Sequence, residues 1–105
     1  MITIPKCIRF SFDEAGRSYA LYAYDSRNPS LRLVGDAIVT AWPSNVGLVE
    51  IGDKFIEGNQ TQPRGYLLRP GEPYPIERAA LDRWYVAGLL DDGVSVLFAQ
   101  EIADD

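Results

Sequence analysis

Apolar and polar positions alternate early in the chain. Ile8, Phe10 and Phe12 interleave with Cys7, Arg9 and Ser11, the period of two expected of a strand with one buried face. Asp13-Glu14-Ala15-Gly16-Arg17 follows, with Gly16 where a hairpin loop needs positive φ. The chain then returns through Tyr19–Tyr24, so the pattern predicts an N-terminal β-hairpin over Lys6–Tyr24. Cys7 falls opposite the Phe10/Phe12 face and reads as an inert packing thiol.

Further strands are predicted at Ala37–Trp42 and Leu48–Ile51, with Pro43–Gly47 as the turn between them. Asp25–Ser30 is a polar connection. Gly58–Pro63 is nearly free of apolar residues, which predicts an exposed loop, mobile over Gln60–Arg64. Tyr66–Leu68 leads into Arg69-Pro70-Gly71-Glu72. Pro fixes φ at the first corner of a type II turn, and Gly permits positive φ at the second. Pro73 and Pro75 restrict Pro73–Ile76 to a sheet edge or an extended crossing, since proline cannot donate to a ladder.

Ile76–Ala87 has two readings. Ile76, Ala80, Trp84 and Ala87 can line a helical face closed by Gly88. Alternatively Glu77–Asp82 is a crossover with one helical turn, and Trp84–Ala87 is a strand. The β-prone Trp-Tyr-Val favours the second, as does the turn sequence Asp91-Asp92-Gly93 running into a central strand at Val94–Phe98. Ala103–Asp105 reads as a frayed acidic end.

Nine Gly and seven Pro are spread over the 105 residues. A helix-interior proline costs about 3 kcal/mol, so a helix bundle is excluded. The predicted fold is therefore all-β: a compact antiparallel β-sandwich with an N-terminal hairpin and at most one helical turn, placed between Glu77 and Arg83. With 47% apolar residues the chain can build one core.

Charge and residue inventory narrow the chemistry. The net charge of −5 disfavours a sequence-independent grip on nucleic acid. No apolar run approaches the roughly 20 residues of a membrane helix, and MITIPKCIRF lacks the features of a signal peptide. The absence of His removes the conventional Ser-His-Asp and Cys-His arrangements. The carboxylates cluster in turns, at Asp13-Glu14 and Asp91-Asp92, and Asp91-Asp92-Gly93 lacks the other ligands of an EF-hand. No enzyme, metal or cofactor is expected.

Eight of the ten cationic residues are Arg, the cation favoured at protein interfaces. Tyr22, Tyr24, Tyr66, Tyr74 and Tyr85 exceed what so small a core can hold. Both features point to a protein that works by contact. The candidate interface residues are Arg9, Tyr22, Tyr24, Tyr66 and Tyr74.

From Asp36 to Gln100 the chain resembles small virion proteins of tailed bacteriophages. The resemblance rests on the strand Ala37–Trp42, the Gly-Asp-terminated Val49–Asp53, the turn Leu68-Arg69-Pro70-Gly71-Glu72, then Tyr85-Val86-Ala87-Gly88 and Val94–Phe98. It implies a jelly-roll-like sandwich over residues 36–100, used as a capsid decoration or cement module. Residues 1–24 lie outside the pattern and are expected to be a docking element. The expected partner is the major capsid protein, and the expected place is the capsid surface of the virion, after synthesis in the host cytoplasm. A homo-trimer is expected there, because a cement protein sits where several capsid subunits meet, most commonly at three-fold points; such a closed ring joins two different patches. The alternatives are a tail, baseplate or head-fibre component, or a carbohydrate- or receptor-binding module with Trp42 or Trp84 as stacking platform.

Overall fold

The computed structural model describes residues 2–21 and 34–102. Eight strands occur in chain order: β1 (Ile2–Ser11), β2 (Tyr19–Ala20), β3 (Val34–Ala41), β4 (Val49–Gly52), β5 (Tyr66–Leu68), β6 (Pro73–Ala80), β7 (Tyr85–Ala87) and β8 (Gly93–Ile102). A 3₁₀ turn at Leu81–Arg83 is the helical turn expected between Glu77 and Arg83.

The strands form two four-stranded antiparallel sheets, ordered β1-β8-β3-β6 and β2-β7-β4-β5. Each of the first four strands pairs with its counterpart among the last four: β1 with β8, β2 with β7, β3 with β6 and β4 with β5. This is one long hairpin, bent between β4 and β5 and rolled on itself. That connectivity is a jelly roll. The first sheet is called A below and the second B.

The inner faces meet in one core. Val39, Ala41, Val94, Val96 and Phe98 of sheet A pack with Val49, Ile51, Leu68 and Val86 of sheet B, and all are buried. Phe12 and Leu21 are fully buried beside them. Burying each large apolar side chain contributes roughly 1.5–3 kcal/mol. β8 runs between β1 and β3, which makes Val94–Phe98 central as expected.

The expected N-terminal hairpin does not form. The turn after Phe12 is present, with Gly16 at φ 80, but its arms part: β1 joins β8 in sheet A and β2 joins β7 in sheet B. Ten paired positions with β8 outweigh the two residues that β2 offers. Phe10, Phe12 and Tyr19 still meet, through the core, with Phe12 and Tyr19 stacked at 5.7 Å. β1 is thus an integral strand of the sandwich and not an appended hairpin. The Asp91–Gly93 turn likewise leads from sheet B to sheet A, and its left-handed residue is Asp91 at φ 68.

Local turn chemistry agrees with the sequence elsewhere. Glu72 N–H donates to the Arg69 carbonyl at 2.9 Å and Gly71 has φ 81, the type II turn that Pro70-Gly71 predicts. β6, with Pro73 and Pro75, is an edge strand. Tyr22, Tyr24, the Asp25–Ser30 connection and the 103–105 end lie outside the described residues.

Candidate functional site

The two outer faces of the sandwich are treated differently. In sheet B, Ile51 pairs with Val86 and both enter the core, so their neighbours Glu50 and Ala87, also paired, point outward. Both are nevertheless fully buried. The cover is the β4–β5 connection, residues 53–65, which folds back over the sheet. Its Ile56 is buried, and its Gly58 passes so close to β7 that a Cβ there would stand 3.1 Å from the Ala87 carbonyl carbon.

Two polar side chains, the buried Glu50 and the half-buried Gln60, fasten this cover. The Glu50 carboxylate accepts the N–H groups of Glu57 (3.2 Å), Gly58 (2.9 Å) and Gly65 (2.5 Å). Gln60 accepts Leu48 N–H at 2.7 Å and donates to the Leu48 carbonyl at 2.8 Å, as a neighbouring strand would. Thr61–Arg64 is exposed, as expected of this loop, but Gln60 is half-buried and anchored.

Sheet A has no such cover among the described residues. Its outward positions line up directly across all four strands. Cys7 of β1 pairs with Leu97 of β8, Leu97 with Ile38 of β3, and Ile38 with Pro75 of β6. All four are exposed, Ile38 at 43% and Leu97 at 47%. Cys7 is accordingly a surface thiol rather than a packing one. Leu97, Ile38 and Pro75 of this row line a shallow groove of about 390 Å³, which Asp36 and Glu77 also border. Both edge strands carry proline, Pro5 in β1 and Pro73 and Pro75 in β6. Proline on an edge blocks addition of a further strand. The face, not the edge, is what sheet A presents.

Arg9 lies on the other side of the row from Asp36 and Glu77. Its register partner is Ser95, which pairs in turn with Thr40. The Arg9 guanidinium stands 4.7 Å over the Trp42 ring, and Trp42 Nε1–H donates to Ser95 Oγ at 3.0 Å. The stack holds Arg9 against the sheet with its charge at the surface.

Of the other predicted interface residues, Tyr66 and Tyr74 come together, with ring centroids 5.4 Å apart, and Tyr74 continues to Trp84 at 6.3 Å. They do not join Arg9: β6 and β1 are opposite edges of sheet A. Tyr66 O–H donates to Glu72 Oε2 at 3.2 Å, and this bond to a carboxylate, with its negative charge, raises the Tyr66 pKa above 10.0. Tyr22 and Tyr24 are outside the described residues. Neither indole is a free platform. Trp42 lies under Arg9, and Trp84 packs on Tyr74 and the core.

The sequence reading missed Ile38, Pro75 and Leu97. Their signal was available: Ala37-Ile38-Val39 and Val96-Leu97-Phe98 are apolar at consecutive positions, which in a strand places apolar groups on both faces. Among the described residues, no group of three His, Cys, Asp or Glu side chains is placed to hold a metal ion.

No family model matches the chain, and searches of curated proteins and of solved structures gave no match.

Proposed function

We propose that this chain is a non-enzymatic structural protein of a tailed-bacteriophage virion, which decorates the capsid and stabilises it by protein–protein contacts. The observation that carries the contact reading is the difference between the two outer faces. The fold covers sheet B with its own loop and fastens it with Glu50 and Gln60. It leaves an apolar row across the whole of sheet A. An apolar row flanked by charges, Arg9 on one side and Asp36 and Glu77 on the other, has the composition of an interface core and rim. The virion setting is supported by the sequence resemblance over residues 36–100. Jelly rolls occur in viral capsid domains among other proteins, so the fold is compatible with that setting without specifying it. A cement protein needs a rigid module that joins neighbours, and sheet A is the surface for it.

The test is binding to empty capsids of the cognate phage. The wild-type chain is expected to bind and to raise their melting temperature. Leu97→Glu, at an exposed position, is expected to keep its far-UV circular dichroism and lose most of the stabilisation. A wild-type chain that leaves capsid melting unchanged overturns the virion reading.

A further inference from the structure

We propose that the occupant of the sheet A face is a second copy of this chain, docked face to face about a two-fold axis. The inference rests on reading this face as a contact surface, and it names the partner.

Charge placement carries the choice. Arg9 sits at the β1 edge, one outward position to one side of the Cys7–Leu97–Ile38–Pro75 row, and Glu77 at the β6 edge, one outward position to the other side. Asp36 accompanies Glu77 on the same border of the groove; its Oδ1 accepts Arg78 N–H at 2.9 Å. The face therefore has a positive corner and a diagonally opposite negative corner, with apolar ground between. Three strand spacings of about 4.8 Å and four residues of about 3.4 Å make these corners nearly those of a square. A two-fold axis along the other diagonal lays Arg9 of each copy over Glu77 of its partner. The same operation brings Leu97 and Ile38 of both copies together at the centre. The two sheets then cross near a right angle, one of the two preferred packings of sheet on sheet. A patch that is complementary to itself in this way is what an isologous contact requires.

Area sets the strength. Four strands of about eight residues present about 500 Å² of face, below the roughly 800 Å² per partner of a standard stable interface. Each copy also carries a net charge of −5. The dimer is therefore reversible, forming at protein concentrations of about 100 μM in dilute solution and more readily where a lattice concentrates it.

Sedimentation velocity of the isolated full chain, from about 1 μM to about 1 mM, tests this without any capsid. A monomer–dimer equilibrium is expected. Leu97→Glu is expected to stay monomeric with unchanged circular dichroism. Arg9→Glu and Glu77→Arg are each expected to weaken association roughly tenfold, and the two together to restore it. Cys7, in the row, gives a readout that needs no variant: its alkylation rate is expected to fall as wild-type concentration rises. Wild-type chain that stays monomeric throughout, with constant Cys7 reactivity, overturns the proposal even if the protein stabilises capsids, and in that case the contact reading survives. A trimer, or a dimer unaffected by Leu97→Glu, overturns it equally.

Discussion

Glu50 and Ala87 stand opposite each other in β4 and β7, and both are buried on the side of their sheet that faces away from the core. Residues 53–65 thus form a second, small interior on the outside of sheet B. Glu50 is its anchor, a carboxylate receiving three backbone N–H groups. Glu50→Ala would strand those donors. At roughly 1–3 kcal/mol for each buried donor left unpaired, a loss of about 3 kcal/mol or more is expected in urea unfolding. Limited proteolysis of this variant should cut first within residues 57–65.

A similar clamp acts at the turn between β7 and β8. Asp92 accepts Val46 and Gly47 N–H groups, each at 2.8 Å. Asn45 accepts Gly93 N–H at 2.8 Å and donates to the Gly93 carbonyl at 2.9 Å, which extends the ladder through a side chain. Asn45→Ala is expected to cost about 1–3 kcal/mol and to lower the melting temperature by about 4–8 °C per kcal/mol. Differential scanning fluorimetry reads it.

Amide exchange should divide the 53–65 connection by its hydrogen bonds, not by its composition. Gly58 and Gly65 N–H groups, held by the buried Glu50, are expected to exchange slowly, as is Leu48, held by Gln60. Arg64, exposed, lies in the fast part of the loop, and Pro63 beside it has no amide hydrogen to exchange. Uniformly fast exchange over residues 57–65 would contradict the covered face.

The Tyr66–Glu72 contact has a pH signature. Hydrogen bonding to Glu72 and the negative charge of its carboxylate favour the neutral phenol, so the Tyr66 pKa lies above 10.0. The contact is intact below the ordinary tyrosine value and is lost as pH rises through the raised one. Tyrosinate absorbance should show Glu72→Gln shifting one tyrosine to lower pH, with the fold unchanged.

Much of the architecture was legible because turns and strand interiors carry local chemistry. Pro70-Gly71 gave its turn, Pro73 and Pro75 gave their edge, and Trp84–Ala87 declared a strand against a helical alternative. Pairing was not legible. Phe12 and Tyr19 look like two arms of one hairpin, and they do stack, but across the core between different sheets. Which strands neighbour one another is decided by contacts far apart in sequence, and periodicity carries no information about them. The same blindness hid the exposed row on sheet A. Cys7, Leu97, Ile38 and Pro75 come from four separate segments, and only the register of sheet A sets them in a row. Gln60 misled in a different way: its composition reads as a solvated loop, whereas its amide serves as a substitute strand for Leu48.

The pairing of β1 with β8 also governs how this chain reaches its folded state. β8, residues 93–102, lies between β1 and β3, so sheet A has no continuous framework until residue 102 has been made. β1 must wait for its partner while the residues between it and β8, 12–92, are made. Closing so long a loop costs entropy that grows as (3/2)RT ln n before any contact returns it, and sandwiches dominated by distant pairings fold in about milliseconds to seconds. Sheet A therefore completes only after β8 has been made. During that interval Pro5 in β1 does a second service, denying passing strands an uninterrupted edge.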